Sequence, residues 1–186
     1  ITITATIDSA TKDITITQNA GSKTYSSWGA WNITLTANPT TIAAAGGNST
    51  LSTSATRSRT WQWNGTGTTY TERGSGTPTL SKVSGAATLN SKTVNYGNNT
   101  STNSRSSVFR ATIDSATKDI TITQSAGAKV YGNWSAWTVN ISANKTSIGA
   151  TGGTATISTS ASRTRSYTWN GVGTTHTDTE TATPTL

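Results

Sequence analysis

The 186-residue chain is 31% hydrophobic and 11% charged, both low for a globular protein, and 44 threonines and 25 serines fill the difference. Cysteine and methionine are absent, which excludes a disulfide framework, a thiolate metal site and a cysteine nucleophile. Net charge is +7, but the basic residues are dispersed without a Lys/Arg run, which argues against nucleic acid and leaves acidic glycans, or plain solubility, as its meaning.

Threonine favours strands and resists helix, and no 3.6-residue apolar stripe occurs, so the chain reads as all-β. No run of about 18 apolar residues exists, so no helical membrane span is expected. The chain opens at Ile1 without an initiator methionine, which predicts a fragment or a processed chain. In chain order, the first elements are two short strands over 1–7 and 13–18, joined by a polar turn. YSSWGAW follows at 25–31. Further strands are predicted at 30–37, 49–63, 67–73, 78–84, 87–96, 105–114 and 118–124, with turn signals at Gly46-Gly47, Asn64-Gly65 and Gly97-Asn98-Asn99. The alternating core positions are Ile33, Leu35, Ile42, Leu51, Trp63, Leu80, Val83, Leu89, Val94, Phe109, Ile113, Ile120 and Ile122.

ATIDSATKDITITQ at 5–18 recurs at 111–124, and residues 5–80 match 111–186 at 46 of 76 positions. The chain is therefore a tandem repeat with a period of 106 residues. Because the Trp-containing stretch follows the repeated hairpin at once, the natural unit is expected to run over 22–127. Residues 1–21 then form the C-terminal hairpin of a preceding repeat, and 128–186 the N-terminal half of a following one. Seven short strands in a unit of about 106 residues predict an immunoglobulin-like β-sandwich. The incomplete ends predict partners: neighbouring repeats or identical chains.

The closing strand KDITITQSAG at 118–127, the preceding VFRATID at 108–114, and Gly46-Gly47 before a Thr/Ser-rich strand resemble bacterial Ig-like repeats, BACON-type modules of Bacteroidota above all. That resemblance implies a secreted, bacterial-surface or phage-virion protein with weak carbohydrate binding or adhesion; tandem repetition adds a non-enzymatic stalk or fibre as the expected role, with a purely structural self-assembling unit, its ends completed by neighbouring chains, as the alternative.

In the strand 49–63, Arg57 and Arg59 share a face with Leu51 and Trp61, and Arg163, Arg165 and Tyr167 repeat the pattern. Tyr25, Trp28 and Trp31 are spaced by three, as are Tyr131, Trp134 and Trp137. Rings three apart on a polyproline-like segment recur every ~9 Å, and arginines two apart on a strand every ~7 Å, so the two sets can interleave. Locally, WSAW at 134–137 facing RTR at 163–165 resembles the Trp–Arg ladder of thrombospondin type repeats, although those depend on disulfides. That ladder also implies contact with anionic glycans. Two readings stand: a cross-brace within the unit, or an exposed platform for stacking sugars.

Catalytic chemistry has little to work with. The only histidine is His176, whose counterpart is Tyr70, so a Ser-His-Asp set cannot form in the complete unit. Asp114 and Asp119 flank a turn, where Asp is expected to bond its own backbone. Asp178 and Glu180 supply too few oxygens for a Ca²⁺ site. No metal, cofactor or catalytic residue is expected.

Overall fold

The computed structural model describes residues 1–186. It is all-β, 63% strand without helix, as the threonine-rich alternation requires.

Strands β1 (Thr2–Ile7) and β2 (Ala10–Thr15) form a hairpin that pairs with nothing else. The next sheet is built on one long strand. Along the chain come β3 (Lys23–Tyr25), β4 (Asn32–Asn38), β5 (Thr41–Ile42) and the 17-residue β6 (Gly47–Trp63). After the Asn64-Gly65 turn come β7 (Thr66–Gly76), β8 (Thr79–Gly85), β9 (Thr88–Asn90) and β10 (Thr93–Tyr96). Antiparallel partners flank β6 on both edges: β4 and then β3 on one, β10 and then β7 on the other, with β9 outside β10.

The second sheet runs β5-β12-β11-β8, using β11 (Arg105–Ile113) and β12 (Ala116–Gln124). Its β5–β12 pairing is parallel. The two sheets enclose one core. Leu51, Val94 and Tyr96 come from the first; Ile42, Phe109 and Ile122 come from the second; Ala87 closes it. The Tyr96 hydroxyl donates to the Ile122 carbonyl at 2.7 Å, so its polar tip is satisfied across the sheets. Residues 23–124 thus form a β-sandwich of six and four strands.

A third sheet repeats half of this plan 106 residues on. In it β15 (Ile157–Trp169) carries β13 (Lys129–Tyr131) and β14 (Thr138–Ala143) on one edge and β16 (Val172–Ala182) on the other.

The structure departs from the sequence-based core at two positions. Val83 is exposed because it is the extra residue of a bulge: Ser84 faces Val108 and Lys82 faces Phe109, so Val83 is turned outward. Trp63 is exposed because β6 outruns the opposing sheet. Ile33, Leu80, Leu89, Ile113 and Ile120 are half-buried at the core's margin, and the remaining six expected positions are buried. The expected 87–96 strand is split by a turn at Ser91, the second strand of the leading hairpin covers 10–15, and β3 and β5 were not anticipated.

Asp114 and Asp119 do not bond their own backbone. Asp114 is taken up below. Asp119 accepts a fork from Arg110, Nε at 2.7 Å and Nη2 at 2.8 Å, across the β11–β12 ladder. That fork holds the Asp119 carboxyl below the usual carboxylate range and raises Arg110.

Two outcomes test this description. Phe109→Ala should cost about 3–5 kcal/mol in urea unfolding, whereas Val83→Ala should stay within about 0.5 kcal/mol. The carboxyl resonance of Asp119 should titrate below its midpoint in the Arg110→Ala variant. Because the folded midpoint is lowered, the pair's small stabilisation is present above the unfolded value of about 3.9 and is lost as pH falls through the folded midpoint. Equal midpoints in the two proteins would contradict the fork.

Candidate functional site

The site grows from a mismatch of lengths. Odd residues of β6 face inward, and the opposing sheet covers Leu51 and Ala55. Beyond Ala55 the same face continues as Arg57, Arg59 and Trp61, with no second sheet above it. The segment 25–31 supplies the cover.

That segment runs beside β6 with a fixed step. The Ser26 amide donates to the Thr60 carbonyl at 2.9 Å, and the Gly29 amide to the Ser58 carbonyl at 2.8 Å. Three residues of the segment therefore match two of the strand. Residues 26 and 29 face the strand edge, which leaves 25, 28 and 31 to lie over its face.

The rings and guanidinia interleave in the order Trp31, Arg57, Trp28, Arg59, Tyr25. Arg57 lies 4.3 Å from the Trp31 centroid and 4.8 Å from Trp28. Arg59 lies 4.5 Å from Trp28 and 3.9 Å from Tyr25. Each contact is worth ~0.5–1 kcal/mol when exposed and about 2 when desolvated. Burial also has a cost: the Arg57 Nε is buried without an acceptor.

Trp61, on the same face as the two arginines, takes neither of them. It stacks on Tyr70 at 4.5 Å and 18°, and receives the Lys23 ammonium at 4.1 Å. Trp63 meets its edge at 5.7 Å. The ladder thus passes into a second aromatic cluster at the far end of β6.

The second copy is built alike. Arg163 sits 4.6 Å from Trp137 and 4.8 Å from Trp134; Arg165 sits 4.4 Å from Trp134 and 3.6 Å from Tyr131. Tyr167 stacks on His176 at 5.1 Å and receives Lys129 at 4.2 Å. Gly132 and Ser135 make the backbone bonds of Ser26 and Gly29, to Ser166 and Thr164.

Several members of the site escaped sequence reasoning. Arg59 Nε donates to Glu72 at 2.7 Å. Trp31 donates its indole N–H to the Asp114 carboxylate at 2.6 Å, and Arg57 lies 3.9 Å from the same oxygen. Asp114 occupies the β11–β12 turn with a φ of +50°, so the second sheet caps the ladder built on the first. In the second copy the acids are Asp178, 3.1 Å from Arg165, and Glu180, 2.7 Å from Arg163. Those carboxylates are therefore engaged by the ladder.

Gly74 and Gly76 are the other omission. They pair with Arg57 and Ala55 on β7. A Cβ at Gly74 would stand 3.3 Å from the Trp28 ring; one at Gly76 would stand 2.9 Å from Trp31 and 2.6 Å from Ile113. Bare backbone there lets both indoles settle on the sheet. The available signal was Thr71-Glu72-Arg73 giving way to Gly-Ser-Gly inside an otherwise regular strand.

None of the family models, characterised proteins or solved structures compared with the chain matches it. The site's meaning rests on its geometry.

Gly76→Val should lower unfolding stability by about 1–3 kcal/mol through overpacking against Trp31. Trp31→Phe keeps a ring but removes the N–H to a charged acceptor. In a double-mutant cycle with Asp114→Ala, Trp31→Phe should show a coupling of about 1 kcal/mol. Additive effects would show that Asp114 does not hold the ladder.

Proposed function

We propose that this chain belongs to a non-enzymatic extracellular repeat protein. Its Ig-like sandwiches, of the BACON-type kind the closing strand resembles, form a stalk or fibre on a bacterial surface or a virion. Glycan contact is weak and made many times over. The observation that carries the reading is the ladder itself, built by the same residues in both copies. The ladder joins the first segment of the unit to its longest strand, a cross-brace made without cysteine.

The same geometry limits what the rings can offer a sugar. Trp28 and Trp134 have arginines on both faces. Free ring surface remains at the ends, on Tyr25, Tyr131 and Trp137, all exposed. An acidic sugar stacked on Tyr25 and paired with Lys23, which shares that ring's face and meets no carboxylate, suits this edge, and repetition supplies avidity. Arg73 also has no acidic partner, but it stands opposite Ser58 and lines a polar recess with Asn32, Thr56 and Thr71 on the sheet's other face.

A second reading is a structural assembly unit completed by neighbouring chains. Leu35 is 8% exposed beneath the second sheet, while its counterpart Ile141 is 67% exposed; Leu51 is 0% and its counterpart Ile157 is 47%. The β1–β2 hairpin exposes Ile1, Ile3, Ile7, Ile14 and Ile16. Its 5–18 sequence is that of 111–124, which covers the equivalent face in the complete sandwich. Strand addition from a second chain would cover both surfaces, as would further chain at either end.

Trp28→Ala combined with Trp31→Ala should lower the melting temperature by roughly 10 °C, since each half-buried ring gives up about 1–2 kcal/mol of guanidinium stacking and packing. Unchanged stability together with lost binding to sulfated or sialylated sugars on a glycan array would overturn the brace. Light scattering of 1–186 over a range of concentrations separates the two readings: growth supports completion in trans, and a constant monomer mass removes it.

A further inference from the structure

The sandwich and the sheet that follows it meet at a small cluster of amides. Successive units have almost no linker: β12 ends at Gln124 and β13 begins at Lys129. Asn170, in the turn between β15 and β16, has a φ of +56°. Its amide donates to the Ala128 carbonyl at 2.7 Å, and its Oδ1 accepts from the Ala128 amide at 2.8 Å. Those two bonds are local to its own unit. Its Nδ2 then reaches into the preceding sandwich, donating to Asn98 Oδ1 at 2.6 Å and to the Asn99 carbonyl at 3.0 Å. Asn98 Nδ2 answers with a longer bond to the Trp169 carbonyl at 3.4 Å.

The receiving loop is rigid. Asn99 is buried; its Nδ2 donates to the Asn103 and Ser125 carbonyls, both at 2.9 Å. Its amide donates to the Ala44 carbonyl at 2.8 Å. Gly127 packs so closely that a Cβ there would overlap the Asn99 carbonyl. The Asn99 carbonyl is therefore a fixed acceptor, held from three sides.

The first copy supplies the comparison. Asn64 has a φ of +54°, donates its amide to the Ser22 carbonyl at 2.7 Å, and accepts from the Ser22 amide at 3.0 Å. The local clip is the same as at Asn170. Its Nδ2 has no partner.

We infer that the Asn-Gly turn of each unit is a plug for the Gly-Asn-Asn loop of the unit before it, and that the free Asn64 amide is the docking point for one more repeat of the same kind. The asparagine works in two directions. Its oxygen closes its own unit's entry, and its nitrogen fixes the angle to the neighbour. An amide carries a donor and an acceptor on one planar group, whereas aspartate keeps the first role and loses the second. Aspartate would also set a carboxylate against Asn98 Oδ1 and the Asn99 carbonyl. With no slack between β12 and β13, two such bonds suffice to hold an orientation. The inference rests on the reading of the chain as a tandem array, and it adds that the array is stiff at its joints.

The absence of cysteine makes the test direct on the full chain. Nitroxide labels at Thr36→Cys and Ser160→Cys, both on exposed positions, report the distance between the two units. The unsubstituted background should give one narrow distance distribution. Asn98→Ala and Asn170→Asp should each broaden it at least about twofold, with the β-sheet circular dichroism unchanged. In parallel, the side-chain amide protons of Asn170 should exchange about tenfold more slowly than those of Asn64, as one or two extra hydrogen bonds imply. A distribution equally narrow in all three proteins, or equal exchange at Asn64 and Asn170, overturns the plug. That failure is distinguishable from failure of the array reading, which would appear as loss of the sandwich's own cooperative unfolding when 128–186 is unfolded.

Discussion

One strand that is longer than its core sets the terms of this structure. At ~3.3 Å per residue, 17 residues span about 55 Å, far more than a single apolar layer of this size covers. The inward face of β6 has to be shielded along all of it. The first half is shielded by a second sheet. The second half is shielded by three rings lying across it, and its own side chains there are arginines. Long aliphatic stems can lie on the sheet while their planar heads fill the gaps between rings. A lysine would fill that slot less well, because its head is compact and strongly hydrated. The chain does use lysines, Lys23 and Lys129, at the more open aromatic cluster beyond the ladder.

The charge balance of the ladder is the same in both copies although its sources differ. Each copy brings two guanidinia and two carboxylates. In the first, Glu72 comes from the neighbouring strand and Asp114 from the opposing sheet. In the second, Asp178 and Glu180 both come from β16. The position that is Gly74 in one copy is Glu180 in the other, and Trp134 keeps both of its guanidinia there all the same. These pairs are partly exposed, and each contributes little alone. Their main effect is to neutralise the ladder locally. The net charge of +7 therefore sits outside it, on cations such as Arg73 that no carboxylate meets.

The parts of this arrangement legible in the sequence were those with a period. Alternation located β6 to within two residues and placed Arg57 and Arg59 on its inner face; the spacing of three against two suggested that Trp28 and Trp31 would meet them. What was not legible had no local pattern. β3 and β5 have three and two residues, too few for any alternation to register. Val83 alternates as a core residue should, and only the bulge opposite Phe109 turns it outward. The Trp31–Asp114 bond joins residues 83 apart, and a turn aspartate carries no mark of its distant partner. The amides of Asn98 and Asn170 are 72 residues apart and read in sequence as two ordinary turns.

The ladder's place in the chain gives it a mechanical meaning. Residues 22–31 are where the polypeptide enters the sandwich, and β12 is where it leaves. Tension along the chain would load both ends alike, but β12 is held through nine paired positions on β11 and the entry segment through far fewer. There β3 offers only three paired positions on β6, and an edge strand so short peels one hydrogen bond at a time. The ladder lies just inside that point and resists differently. Pulling residue 25 away from β6 draws Tyr25 off Arg59, but Trp28 cannot follow until both of its guanidinia are uncovered. Each rung is clasped by the next, and Asp114 ties the last rung to the other sheet. The clip of Asn64 on Ser22 closes the outer end of the same segment. A cysteine-free unit thus guards its entry at three successive points, with an amide, a short strand and a stack of rings where a disulfide would otherwise serve.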